Sequence, residues 1–294
     1  MNNFEQYLNN TRHRVESELN RRLPPETTRP AGLHRSMRYG VLGGAKRVRG
    51  ILCFASCESV GGNSESAVLP ATALEILHAY TLIHDDLPAM DNDDLRRGKP
   101  STHKKFGEAS AILAGDALLT LAFELLAECV APVPYPPGQL SLELARATGS
   151  QGVIAGQFED IESEDSNKDG DKLRFIHTHK TADLIRAACR MGGITAGANA
   201  KELDILDRYG RDIGVAFQLT DDIMDEIGVT ETIGKPTGSD RAKKKMTAIS
   251  VYGLEETRRQ VQTLIHRASV AIRALPGPTE PLASIAAMIV NRNR

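Results

Sequence analysis

Between Asp85 and Asp94 the chain sets five carboxylates within ten residues, directly after the apolar run Leu77-His78-Ala79-Tyr80-Thr81-Leu82-Ile83-His84. Packing gives no reason to collect like charges at the end of an apolar helical stretch. A divalent cation does. Magnesium takes oxygen ligands, uses one or two protein carboxylates and leaves its other positions to water and phosphate. Arg96 and Arg97 follow at once, and guanidinium forks bind phosphate oxygens bidentately. A second stretch, Phe217-Gln218-Leu219-Thr220-Asp221-Asp222-Ile223-Met224-Asp225, repeats the pattern. Asp221 and Asp225 lie four apart and share a helix face. One such doublet reads as a solvated acidic turn. Two, each ending an apolar helical run and each followed by Lys or Arg, read as halves of one magnesium–diphosphate site. The halves are distant in sequence, so the chain between them must fold back around one cavity.

Composition supports a single sizeable core: 294 residues, 41% of them hydrophobic. A net charge of −2 gives no global field for nucleic acid or a membrane surface. Aromatic residues make up 4% and Trp is absent, so base-stacking platforms are excluded. Cys53 and Cys57 share a helical face, but no Cys-x-x-Cys or His pair completes a zinc set. These two, Cys129 and Cys189 read as buried thiols. The N-terminus lacks a basic-then-apolar leader, and no run reaches the ~18 apolar residues of a spanning helix. The expected compartment is the cytoplasm.

Helical spacing dominates the chain, and no strand pattern stands out. Residues 3–23 form an amphipathic stripe ended by Pro24 and Pro25. Leu33 to Val60 is helical around a break at Gly43-Gly44, followed by the basic knot Lys46-Arg47-Val48-Arg49. Lys46 and Arg49, three apart, can converge on one anion. Val68 to His84 leads to the first aspartates, and Glu108 to Val130 reads as core and subunit interface. The proline-rich stretch 131–138 resembles a domain linker, but the acidic motifs on its two sides must face each other. Leu140 to Glu162 and Leu203 to Glu226 are helical, as is Gly253 to Arg294 apart from Pro276-Gly277-Pro278. His177 and His179 are two apart and cannot share a helix face, so zinc is not expected there. The expected fold is all-α: a single domain, 1–294, of about ten helices around a central cavity.

Asp85-Asp86-x4-Asp91 and Asp221-Asp222-x2-Asp225 resemble the paired aspartate-rich motifs of the trans-prenyltransferases, the short-chain isoprenyl diphosphate synthases, above all the bacterial farnesyl diphosphate synthases. The resemblance runs from about Ser36 to the C-terminus. It implies the isoprenoid synthase type I fold, a homodimer and three magnesium ions held by Asp85, Asp86, Asp91, Asp221, Asp222 and Asp225. Lys46, Arg49, His78 and Arg97 would hold isopentenyl diphosphate. Arg96, Lys180 and Lys235 would hold the allylic diphosphate, and Lys245 would help close the site. The Lys180 carbonyl and the Thr181 hydroxyl would stabilise developing positive charge, with Gln218 beside them. Tyr80 and Thr81 would floor the pocket for the growing tail, and a bulky Tyr80 favours a C15 product over C20. The implied reaction is head-to-tail condensation after ionisation of the allylic C–O bond.

The chain departs from the family pattern at Ala45 and Gly50 in the basic knot, at Ala155 in Ala155-Gly156-Gln157-x-x-Asp160, and at Ala182, Asp183 and Ala248. Three other readings stay open. A class I terpene cyclase would share the ionisation step but not need the Lys46, Arg49 and His78 set. A non-catalytic subunit of a heteromeric synthase would lose ligands. A plain acidic metal-binding protein would not set Arg96, Arg97, Lys180 and Lys235 beside the acids.

Overall fold

The computed structural model describes residues 3–163, 168–227 and 245–291. In chain order its helices are α1 (Asn3–Arg22), α2 (Ala31–Val41), α3 (Val48–Ser59), α4 (Val68–Asp85), α5 (Thr102–Phe106), α6 (Glu108–Ala127), α7 (Gln139–Thr148), α8 (Val153–Glu162), α9 (Gly170–Ile176), α10 (Asp183–Thr195), α11 (Ala200–Ile227), α12 (Ala248–Tyr252), α13 (Leu254–Ala271) and α14 (Glu280–Asn291). A π-helical turn, His177–Ala182, joins α9 to α10. Among the described residues the remaining regular structure is one small antiparallel hairpin, β1 (Leu95–Arg96) with β2 (Lys99–Pro100), and short 3₁₀ turns. The all-α expectation holds. Twelve of the described helices have seven residues or more, rather than about ten. The single helix expected over 140–162 is two, because the chain turns sharply at Gly149–Gly152. A Cβ on Gly152 would lie 2.1 Å from the Ala147 carbonyl oxygen.

Helix α4 is buried on all sides from Pro70 to Leu77, and beyond that only Ala79 and Ile83 are fully buried, so its C-terminal half presents His78, Tyr80 and Thr81 partly exposed. Pro70 sits in its first turn, where no intrahelical N–H is needed. Around it, α6 and α3 pack against α4, and α10 packs against both α3 and α11. Helix α11 runs 28 residues with its buried positions three and four apart, from Ile205 and Leu206 to Ile223. Buried Asp212 ties it to α13 through two bonds from Arg267, at 2.6 and 2.5 Å. The Tyr209 hydroxyl donates to the Leu282 carbonyl at 2.7 Å and ties it to α14. This frame sets the C-terminal end of α4 and the C-terminal half of α11 as the two carriers of the acidic motifs.

The expectation that no stretch is apolar enough to span a membrane needs correcting. Ser64–Asp85 and Glu108–Ala127 reach mean hydropathies of 1.3 and 1.7, a test that buried core helices also pass. Most of the first is packed inside the protein. The second, α6, leaves Ile112 and Leu113 exposed at 43% and 58%.

Candidate active site

Asp85 is the last residue of α4, where the helix carbonyls already direct partial negative charge. The chain then folds back on that end. The Asp91 N–H donates to the Asp85 carbonyl at 2.8 Å, and the Asp93 N–H to the Asp86 carbonyl at 3.2 Å. The return carries left-handed backbone at Asn92 (φ 50°), and the hairpin turn that follows carries it at Arg97 (φ 54°). Such conformations are costly for side-chain-bearing residues and cluster at functional sites. Burial, with the charges of Asp91 and Asp86, raises the Asp85 carboxyl to about 6 against the pull of Lys180 and Arg96. Asp86 is 2% exposed. Arg96 Nε donates to its Oδ1 at 2.9 Å, Arg96 Nη2 closes on the same oxygen, and Nη2 also reaches Asp93 at 3.2 Å. Arg96, expected on the allylic diphosphate, is thus the partner of Asp86 in this state.

Asp91 meets Lys245 at 2.7 Å, and Lys245 also reaches Asp160 Oδ2 at 3.1 Å. Lys180 donates to the same Asp160 oxygen at 2.6 Å. Burial alone would raise the carboxyls of Asp91 and Asp160, yet the ammoniums of Lys180 and Lys245 hold both below the usual carboxylate range. Burial would likewise lower Lys245, but Asp160 and Asp91 hold it well above an ordinary lysine. Asp160 carried no assigned role in the sequence beyond its place in Ala155-Gly156-Gln157-x-x-Asp160. Three residues before it, Gln157 is 7% exposed with neither amide atom hydrogen-bonded.

The second acidic motif lies within unbroken α11. Its middle carboxylate departs from the expected ligand role. Asp222 is 3% exposed. Its Oδ1 accepts from Gln218 Nε2 at 3.0 Å, and its Oδ2 accepts from the Ala248 N–H at 2.6 Å and lies 3.3 Å from His177 Nε2. One residue on from Asp221 the helix has turned about 100°, which takes Asp222 into the protein. Asp221 and Asp225 stay partly exposed on their shared face. The Thr181 hydroxyl donates to Gln218 Oε1 at 2.7 Å, so Thr181, Gln218, Asp222 and Ala248 form one chain of hydrogen bonds.

Lys180 and Thr181 are carried on the π-helical turn, which the sequence did not announce. Glycines on both neighbouring helices make room for it. A Cβ on Gly156 of α8 would lie 2.1 Å from the Lys180 backbone nitrogen, and one on Gly214 of α11 would lie 2.6 Å from the Ala182 Cα. Ala182, a departure from the family pattern, is accommodated by Gly214. Asp183, another departure, accepts from His179 Nδ1 at 2.7 Å across the turn.

A separate group of cations gathers on the α2–α3 side. Burial lowers Arg49 to about 10, partly offset by Glu75 and Asp221. Burial and the charges of Arg49, Arg97, Arg96 and Arg47 press His78 far below its ordinary value, so its imidazole is neutral. Burial and Arg47 lower Arg97 as well. Arg47, passed over in the sequence, is 3% exposed in left-handed backbone (φ 56°), 3.7 Å from buried Glu75. Lys46 is exposed and lines a groove with Glu5, Arg12, Ile51, Ile285 and Met288 between α1, α3 and α14. Lys235 and the lysines Lys243 and Lys244 lie outside the described residues.

Tyr80 stands between these features and α6. Its ring meets His84 edge-on, with centroids 4.8 Å apart. Burial and the charges of Asp85 and Asp116 raise its hydroxyl. The Thr81 hydroxyl turns back to the His78 carbonyl at 2.9 Å. The ring of His84 fills the place of a side chain on Gly115, where a Cβ would lie 2.1 Å from Nε2.

Among the described residues no three His, Cys, Asp or Glu side chains form a ready-made metal cage. The donors at the ends of α4 and α11 are carboxylate oxygens. They suit a hard ion that completes its shell with phosphate oxygens and water.

A family model for Polyprenyl synthetase matches residues 30–274. The chain is 43% identical over 293 residues to a geranylgeranyl diphosphate synthase of Cyanophora paradoxa, covering 99% of this chain and 97% of that one. It is 42% identical over 297 residues to the farnesyl diphosphate synthase of Escherichia coli, covering 99% of both. The crystal structure of a geranylgeranyl pyrophosphate synthetase from Pyrococcus horikoshii superposes with a TM-score of 0.89 at 29% identity, over 98% of this chain and 97% of that one. Family, fold and site agree: the chain is a prenyltransferase of the polyprenyl synthetase family, built on the all-α isoprenoid synthase fold.

Proposed function

We propose that this chain condenses isopentenyl diphosphate with dimethylallyl and geranyl diphosphates to form farnesyl diphosphate. The observation that carries this reading is that cations near the acidic motifs fall into two groups that no hydrogen bond or ion pair among the described residues joins. Arg49, Arg97 and neutral His78 gather with Arg47 in one. Lys180 and Lys245 gather on Asp160 in the other. A cyclase has one diphosphate to bind. Two groups suit two diphosphates.

In this reading Arg49, Arg97 and the His78 N–H hold isopentenyl diphosphate, and Lys180 and Lys245, with Lys235, meet the allylic diphosphate. Asp85, Asp91, Asp221 and Asp225 would hold magnesium, which would supply positive charge to stabilise the departing diphosphate. Lys180 and Lys245 add preorganised charge at the same oxygens, which lowers the barrier to breaking the allylic C–O bond. The Thr181 hydroxyl and the carbonyls of the π turn direct oxygen dipoles at the developing allylic cation. The double bond of isopentenyl diphosphate attacks that cation, and the proton then lost goes to the released diphosphate. Apolar walls keep water from trapping the cation.

Tyr80, edge-on against His84 beside the end of α4, sets the length limit at C15. The C20 reading stands second, because relatives of both kinds match along the whole chain. The exposed Ile112 and Leu113 of α6 suit a second copy of the chain, giving a homodimer measurable by analytical ultracentrifugation. The test of function is a chain-length-resolved product assay with magnesium, isopentenyl diphosphate and each allylic diphosphate in turn. Farnesyl diphosphate is the expected product, and Tyr80→Ala should extend it to C20 or longer. An unchanged product from Tyr80→Ala would remove Tyr80 as the floor. Conversion of the allylic substrate alone to a hydrocarbon or alcohol would favour the cyclase.

A further inference from the structure

Asp160 is a buried carboxylate, 5% exposed, on α8. It lies in a site whose ligands are diphosphates, and a carboxylate repels them. Its place is explained by what it gathers. One oxygen, Oδ2, accepts from Lys180 of the π turn at 2.6 Å and from Lys245 at 3.1 Å. Lys245 comes from the segment leading into α12, and its ammonium also reaches Asp91 at 2.7 Å. Two carboxylates and two ammoniums therefore form a chain, Lys180–Asp160–Lys245–Asp91, whose formal charges cancel. Without Asp160, the two lysines would sit close together with only Asp91 between them, and like charges at such distances separate. Long lysine side chains also carry rotamer entropy that a shared acceptor removes before the ligand arrives.

We propose that Asp160 is a positioning residue that brings the Lys180 and Lys245 ammoniums together to grip the allylic diphosphate from two separate elements. This rests on the prenyltransferase reading given above. Asp160 does not touch the diphosphate. It fixes where the two charges stand, and they exchange its oxygen for phosphate oxygen when the ligand binds.

A binding measurement separates positioning from plain electrostatics, because the two predict opposite signs. Asp160→Asn removes a negative charge near a polyanion, so electrostatics alone predicts tighter binding of inorganic diphosphate. Positioning predicts weaker binding, roughly tenfold or more by the usual worth of a charge-assisted hydrogen bond. Calorimetric titration of wild type and variant with inorganic diphosphate and magnesium reads this directly. In steady state, the KM for geranyl diphosphate should rise while that for isopentenyl diphosphate stays unchanged. Asp160→Glu, which keeps the charge on a longer arm, should recover part of the affinity.

Lys245→Met removes one of the two gathered lysines from a different element and leaves buried Asp160 itself unaltered, so a folding defect at Asp160 does not enter its result. The double variant Asp160→Asn, Lys245→Met should lose less affinity than the product of the two single losses. Equal or tighter diphosphate binding by Asp160→Asn overturns the proposal, as do losses that multiply independently. A wild type that binds neither diphosphate nor isopentenyl diphosphate would instead overturn the prenyltransferase reading itself.

Discussion

At the end of α4, Asp85 stays partly exposed while Asp86 beside it is buried and gripped by Arg96. On α11, Asp221 stays partly exposed while Asp222 beside it is buried and accepts from the Ala248 N–H. In each doublet one carboxylate remains near the site surface and its neighbour is turned into the protein. The two buried partners differ in what they hold. Asp86 holds a guanidinium on the adjoining hairpin, and the contact is between full charges. Asp222 holds the backbone at the start of α12, an amide of Gln218 and His177, and the contact is mainly hydrogen bonding. The first doublet ends a helix and is followed by a return turn with left-handed Asn92. The second lies inside a helix and needs no turn. A repeated Asp-Asp pair therefore carries two kinds of work, and the second residue of each pair builds the wall on which the first is displayed.

The largest effect should come from the displayed carboxylates. Asp85→Asn and Asp221→Asn should each lower turnover by about 10²- to 10³-fold, the usual cost of removing one group that stabilises transition-state charge. Thermal melting should not fall. A similar turnover loss in Asp222→Asn, with unchanged melting, would erase the distinction between the two positions.

Next come the buried partners, where stability is the readout. Asp86→Ala leaves Arg96 without its main partner and should destabilise the fold by about 3 kcal/mol, as breaking a buried pair does. Asp222→Ala leaves an N–H and an amide unsatisfied and should cost about 2 kcal/mol. The difference sharpens with salt. Added salt should reduce the Asp86 effect, whose origin is charge on a part-exposed arginine, more than the Asp222 effect. Denaturant titration at low and high ionic strength measures both.

Asp85 alone should show a gain of stability rather than a loss, and only at higher pH. Its folded-state carboxyl titrates at about 6, above the value of about 4 in an unfolded chain. The folded state holds the proton longer, so stability falls as pH rises from about 4 through 6 and then levels off. In chelator, Asp85→Asn should match wild type below about pH 4 and exceed it by about 2 kcal/mol above pH 7, allowing for partial solvation. A constant difference across pH would show that Asp85 ionises normally.

Much of the fold was legible in the sequence, because helical spacing and the acidic clusters are local signals. What escaped it depends on neighbours. The π turn under Lys180 and Thr181 exists where Gly156 and Gly214 of two other helices allow close approach, and nothing near residue 180 encodes that. The split roles within each doublet follow from which helix face meets the core. Asp160 was visible only as part of a motif, since its lysines come from other segments. The departures in the basic knot and beyond also resolve in space. Gly44 takes the left-handed conformation (φ 79°), and Ala45 is not among the residues with positive φ. The Gly50 N–H donates to buried Glu75 at 2.8 Å, a bond that proline cannot make. Ala248 serves Asp222 through its backbone.

The central claim is that two diphosphates bind in separate places, one held by protein cations and the other by carboxylates that act through magnesium. Calorimetry with isopentenyl diphosphate in chelator tests it most directly, followed by titration of inorganic diphosphate with magnesium into the same complex. The account predicts that isopentenyl diphosphate binds without magnesium and is not displaced by the second ligand. Binding of isopentenyl diphosphate only with magnesium, or one-for-one displacement, would contradict it.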